Sequence, residues 1–340
     1  MADYDKSVGS AHFSFSNSLL LDTARFMNVL RVISPGFQTT VQDLGRPHFT
    51  HLGISPSGAA DPVSLRLGNL LVDNPPGAAA LEMTLVGGTF EFSEDTVVAL
   101  TGSDFGATLN GVPVSCWRSF LVPMGGILRC GATKSGARCY LCIHGGVDVP
   151  LILESMSTHI VTGLGGLNGR AVAAGDTLSI QRKRHDSFNH HTLEKRAITG
   201  VLMREVMRVT RGPQAELFSE EALSLFSTST YRVSEESNRM GLRLTGPPVK
   251  KTETADMITE GVSMGAVQIS NDGEPIILFV EHQTTGGYPK IANVISADLH
   301  RLGQLRPRDA IRFEFVPVDQ ALQFLDDLEL LISPTSLKPL

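Results

Sequence analysis

The 340-residue chain has few charges and few aromatic residues. Charged side chains make up 19% and aromatics 6%, with a single tryptophan. No stretch approaches the roughly 20 consecutive apolar residues that a membrane-spanning helix needs. Twenty-nine basic residues against 35 acidic ones give a net charge of −6. The basic residues form no patch, which excludes an electrostatic nucleic-acid surface. Low hydrophobicity with high net charge, the mark of a disordered chain, is also absent, since 42% of the residues are hydrophobic. Cysteine is scarce as well. Cys116, Cys130, Cys139 and Cys142 are too few to staple a chain of this size. Cys139 and Cys142 have C-x-x-C spacing, but they fall in an apolar, strand-like run that would point them to opposite faces. They read as buried, reduced thiols in a cytoplasmic protein.

Glycine (33) and proline (18) are mildly abundant, as expected for many short strands joined by turns. Alternating or apolar runs predict strands at residues 28–34, 96–101, 119–122, 138–144, 177–181, 275–281 and 310–316. Asn110-Gly111 predicts a type I′ hairpin. Helices are predicted at 61–71, where Asp61 caps and Pro62 opens the first turn, and at 214–226 and 318–331. The polar, basic segment 181–196, with His190 and His191, reads as a solvated connector. Residues 1–26 read as a polar, serine-rich extension. The expected organisation is an N-terminal extension (1–27), a first β domain (28–185), a connector (186–200), a second β domain (201–330) and a C-terminal tail (331–340). A faint echo links 136–150 to 273–289: in each, an apolar strand runs into a Gly-Gly turn and a proline follows. That echo fits either a duplicated domain or chance similarity of strand-and-turn segments.

Several chemical motifs fail on inspection. Gly261-Val262-Ser263-Met264-Gly265 matches a nucleophile elbow, yet a strand pattern follows it instead of a helix. The run from Gly131 to Arg138 lacks the Lys-Ser/Thr pair of a phosphate loop. The glycine-rich stretch Gly163–Arg170 is either an anion-binding nest or a simple turn. No Met-Lys-Met sequence is present, so the chain is expected to carry no attached biotin.

The densest polar cluster is Glu281-His282-Gln283-Thr284-Thr285-Gly286-Gly287-Tyr288-Pro289-Lys290, directly after the apolar run 276–280. An acid, an amide, two hydroxyls, a phenol and an ammonium beside two glycines suit a ligand better than a core. Arg239 and Glu260 are further charged residues next to glycine-containing turns. The candidate catalytic groups are therefore Glu281, Lys290, Arg239 and Glu260. The candidate substrate-binding groups are Gln283, Thr284, Thr285, Gly286, Gly287 and Tyr288.

Long stretches carry a specific resemblance: VLRVISPGFQTTVQDLGRP at 29–47, GAADPVSLRLGNLLVDN at 58–74, ALEMTLVGGTFEF at 80–92, SNRMGLRLTGP at 237–247, ITEGVSMGAVQIS at 258–270 and EHQTTGGYPKIANVISADL at 281–299. The chain resembles the family variously called allophanate hydrolase subunit 2, KipA or the 5-oxoprolinase C subunit, and the carboxyltransferase part of urea carboxylase. That resemblance implies a mainly β fold of two tandem cyclophilin-like β-barrel domains with a few short helices. It implies two partners, a KipI-like B subunit and a LamB-type A subunit. It also implies a small cyclic amide as substrate, and ATP with magnesium. Together these would open 5-oxoproline to glutamate, with this chain inactive alone. The same resemblance also covers two other roles. One is a carboxyltransferase acting on urea or another small amide with a separate biotin carrier. The other is a KipA-like regulator that binds a KipI-type kinase inhibitor.

Overall fold

The computed structural model describes residues 29–181, 188, 190–202, 205–252 and 257–340. The expected extension over 1–27 lies outside the described residues. The remainder is mainly β. In the first half, a seven-stranded and a five-stranded sheet face each other. The five-stranded sheet runs in the order Gln38–Gln42, Ala80–Thr84, Arg138–Ile143, Thr96–Gly102, Ser119–Val122. Alternate residues of both sheets fill the core between them, among them Leu30, Val32, Phe90, Leu128, Leu141 and Ile143. The outer face of the five-stranded sheet is covered by helices. Tyr140 and Cys142 point that way and pack with Leu65, Leu67 and Leu71 of the helix Pro62–Leu71 and with Leu328 of the helix Val318–Leu331.

In the second half, seven strands close into a barrel: Val206–Arg211, Lys290–Val294, Ala266–Ile269, Pro275–Leu278, Gly241–Thr245, Tyr231–Val233 and Ala310–Phe315. The first and last of these pair in parallel, and that contact seals the ring. Closure removes the free edges a flat sheet would leave. Phe226 of the helix Glu220–Thr228 stacks on Phe313 of the barrel with centroids 4.2 Å apart.

The strand and hairpin expectations agree closely with the structure. Thr108–Leu109 and Val112–Pro113 pair around Asn110 and Gly111, both at positive φ. The Asp61 carboxylate accepts from the Ser64 amide at 2.9 Å and caps the first helix. The helix expected over 214–226 is instead a 3-10 turn, Ala215–Leu217, followed by a helix from Glu220. Ser219 causes the break: its hydroxyl accepts from the Ala222 amide, so the helix restarts there. The described part of the stretch read as a solvated connector forms regular secondary structure. His191–Leu193 pairs with Leu337–Pro339, in the segment read as a tail, and a helix runs from Lys195 to Leu202. Its buried face is only Ala197 and Val201, and the basic residues before it conceal that pattern in the sequence. Cys139 and Cys142 lie on opposite faces of one strand, in different cores, and all four cysteines are free thiols. The two Gly-Gly turns differ in backbone. Gly145 and Gly146 both have positive φ, whereas Gly286 pairs as a strand with Glu260.

The halves are joined by a side chain. Gln304, from the second half, donates to Asp61 Oδ2 at 2.7 Å and to the Arg138 carbonyl at 3.1 Å. Its own carbonyl accepts from the Ser103 hydroxyl and the amides of Ala137 and Arg138. Gly303 passes so close to the first half that a Cβ there would lie 2.2 Å from the Ala60 carbonyl oxygen.

Candidate active site at the junction of the two halves

The candidate residues fall into two groups. The first contains Arg239 and Glu281. Arg239 follows a polar turn, and Glu281 follows the barrel strand Pro275–Leu278. The Glu281 amide donates to the Arg239 carbonyl, which sets the two side by side. Arg239 Nε donates to Glu281 Oε1 at 2.5 Å, Nη1 to Glu82 Oε1 at 2.7 Å, and Nη2 to the Gly58 carbonyl at 2.7 Å. Glu82 comes from the first half, on the strand Ala80–Thr84. Its Oε2 accepts from the Tyr140 hydroxyl at 2.7 Å and the Ala60 amide at 2.8 Å. Arg138 Nε lies 3.3 Å from Glu82 Oε1. All these side chains are buried. A buried guanidinium is tolerated when paired and hydrogen-bonded; Arg239 has two carboxylate partners and an acceptor on each of its three nitrogens. Burial pulls its pKa down, but Glu82 and Glu281 outweigh that and raise it. The Tyr140 hydroxyl is pushed well up, by burial first and then by Glu82 and Asp61, so it stays protonated and donates.

Two chambers open beside this network. One, of about 400 Å³, is lined by Phe37, Arg138, Ser237, Asn238, Arg239 and Glu281 among others. The other, also about 400 Å³, is bounded by Ile54, Ser55, His159, Thr162, Glu281 and Gln283. Val161, Met240 and Glu281 border both. Glu281 Oε2 accepts no hydrogen bond from any described residue, which leaves it free for a water or a substrate N–H.

The second group lies apart. Lys290 is paired with Glu260, and Gln214 donates to the same Glu260 oxygen at 2.8 Å. These partners hold the Glu260 carboxyl below its usual range, the Lys290 hydrogen bond first. Thr285–Gly286 pairs with Glu260–Gly261, so the Thr-Thr-Gly-Gly segment is a small two-stranded flap. Gln268, buried, donates to the Tyr288 carbonyl at 3.4 Å. Neither Lys290, Glu260 nor Tyr288 lines either chamber, whereas Gln283 does. Sequence reasoning missed Glu82, Arg138, Tyr140 and His159. None of them leaves a clear signal in the sequence: even Glu82, the one acid in the strand Ala80–Thr84, looks like ordinary alternation.

The chambers do not fit a nucleotide. A triphosphate needs free cationic donors, yet the guanidiniums on these walls, Arg138 and Arg239, are already engaged by Glu82 and Glu281, and no lysine lines either space. Among the described residues, no three His, Cys, Asp or Glu side chains are grouped to hold a metal ion.

Residues 52–315 match the family model for the carboxyltransferase domain, subdomains A and B. The chain belongs to this family. It is 38% identical over 301 residues to the 5-oxoprolinase C subunit of Escherichia coli, spanning 88% of this chain and 95% of that protein. The corresponding protein of Haemophilus influenzae is 35% identical, with 84% and 90% covered. Among solved structures, the Kluyveromyces lactis urea carboxylase aligns with a TM-score of 0.83 at 30% identity. That alignment covers 95% of this chain but only 32% of the urea carboxylase chain. This carboxyltransferase-family chain is thus similar to whole 5-oxoprolinase C subunits and to one part of a larger urea-carboxylating enzyme. Among its described residues, no helix is long and apolar enough to cross a membrane.

Proposed function

We propose that the chain is the C subunit of a 5-oxoprolinase-type complex. With a KipI-like B subunit and a LamB-type A subunit, that complex opens 5-oxoproline to glutamate at the expense of ATP. The observation that carries this reading is coverage: the match to the E. coli C subunit takes in nearly the whole length of both proteins. Because the two chambers lack free cationic donors for a triphosphate, ATP is taken to bind outside them. This chain's part is then to hold the lactam and the attacking water.

Ring opening requires water to add to the lactam carbonyl carbon, the carbon–nitrogen bond to break, and the ring nitrogen to leave as an amine. Glu281, with one oxygen on Arg239 and the other free, is placed to take the proton from water and later to return it to the nitrogen. Arg239 fixes that carboxylate in direction. The test is turnover by the purified chain combined with both partners, followed as glutamate and ADP formed from 5-oxoproline and ATP. Product only from the complete mixture is expected; no product from it would sink the reading.

A second reading, a carboxyltransferase working with a separate biotin carrier, draws on the urea carboxylase likeness. It predicts turnover dependent on carboxybiotin and independent of a LamB-type partner.

A further inference from the structure

Arg46 is the most unusual charge among the described residues. It is 1% exposed, and no carboxylate of those residues lies within ion-pairing distance of it. Its Nη2 donates to the Ser157 carbonyl at 2.6 Å and its Nε reaches the Ile152 carbonyl at 3.4 Å, while Nη1 has no acceptor among them. Asp43 and Glu281 are near enough to act on its charge, but neither forms an ion pair with it. Asp43 spends its oxygens on the hydroxyls of Ser155 and Ser157 and the amides of Gly45 and Met156, and Glu281 is held by Arg239. Leaving a buried guanidinium proton without an acceptor costs stability, so the site gains something from it.

The chain is built around this group. Leu153 and Glu154 both have positive φ, a turn that ordinarily takes Asn-Gly, and this strained turn holds the Ile152 carbonyl in place. Gly165 must be glycine, since a Cβ would fall 2.8 Å from Arg46 Nη2 and 2.2 Å from the Ser157 carbonyl oxygen. Leu153 and Leu164, the neighbours of these contacts, are walls of the second chamber, as is Ser55 beside the Pro56 carbonyl that receives the Arg46 amide. Arg46 thus lies one layer behind that chamber, where a low dielectric lets its charge be felt. On the same wall, His159 Nδ1 accepts from the Thr162 amide at 3.2 Å, which places the neutral ring's proton on Nε2 as a donor.

We propose that the second chamber seats the carboxylate end of a small carboxylate-bearing cyclic amide. His159 and Gln283 serve as hydrogen-bonding groups and Arg46 as the positioning charge. The inference rests on the 5-oxoproline reading and fixes which way round that substrate lies: carboxylate toward Arg46, lactam toward Glu281.

The test uses the chain assembled with its partner proteins, without nucleotide. Binding of 5-oxoproline and of 2-pyrrolidinone, the same lactam without its carboxylate, is compared by ligand-observed NMR. 5-Oxoproline should bind at least roughly tenfold more tightly. Arg46→Met should abolish that preference while pyrrolidinone binding persists, and Arg46→Lys should restore part of it. Equal affinity for the two ligands, or a preference that survives in Arg46→Met, overturns the proposal. If Arg46→Met does not fold, Gln283→Glu decides: the added negative charge must weaken 5-oxoproline selectively, and an equal or absent effect on both ligands overturns the proposal. ATP-dependent turnover without the preference would refute the chamber assignment alone. The preference without turnover would refute the 5-oxoprolinase reading alone.

Discussion

Arg239 Nη1 lies 2.7 Å from Glu82 Oε1 although 157 residues separate them in the chain, and both side chains are nearly sealed from solvent. This bond fastens the barrel to the first half beside the chambers. Arg239→Ala would leave Glu281 as an uncompensated buried carboxylate and Glu82 with Arg138 as its one remaining cationic partner. A loss of about 3–5 kcal/mol is expected, read from the urea midpoint of unfolding. Lysine should not restore it, because one ammonium cannot reach three acceptors in the directions that Nε, Nη1 and Nη2 reach.

The other ion pair contrasts with it. Glu260 is half-exposed beside Lys290. Glu260→Gln should shift the urea midpoint far less than Arg239→Ala does.

Glu281→Gln tests the chemistry. The amide keeps the shape but cannot accept the water proton, so kcat in the reconstituted complex should fall by about 10²–10⁴-fold. KM should change far less. An unchanged kcat would remove Glu281 from the proton transfer.

Acid should destabilise the fold through buried imidazoles. Burial lowers the pKa of both His282 and His300, the first beside the Gln283 carbonyl and the second close to Asp61, Asp298 and Arg301. Both rings stay neutral when folded and take up protons when unfolded. Their contribution is complete above the ordinary imidazole value of roughly 6.5. It is lost as pH falls from there through the lowered folded values, by up to about 1.4 kcal/mol per pH unit for each ring. Melting temperature followed from pH 8 to pH 5 checks the sign. Substituting His282 with Gln should flatten the slope.

The thiols should be inert. Burial raises Cys116 and Cys130 to about 12 and carries Cys139 and Cys142 still higher. Ellman's reagent at pH 8 should find almost no reactive cysteine in the folded protein and all four after denaturation.

The strands, the hairpin at Asn110-Gly111 and the Asp61 cap are legible in the sequence because local periodicity and turn chemistry decide them. Arg239 and Glu281 stand out because a charge beside a glycine turn is poor core material. Their partner Glu82 does not, since one acid between Leu81 and Met83 looks like ordinary alternation until the other half of the chain is laid on it. Lys290 is near Glu281 in sequence, yet the pairing of Thr285–Gly286 with Glu260–Gly261 draws it into a separate group with Glu260. Arg46 is hidden for a similar reason: it sits in a short glycine-proline turn, and only tertiary packing encloses it. Long-range burial therefore decides which charges form the site, and sequence spacing does not report burial.

Gln304 makes five hydrogen bonds across the seam, on the side of the molecule where Gly303 leaves no room even for a methyl group. Such a joint has no pivot. Any hinge between the two halves would have to break these five bonds. Val161 and Met240, which border both chambers, are exposed at the surface. A molecule seated over those two side chains would touch both chambers at once.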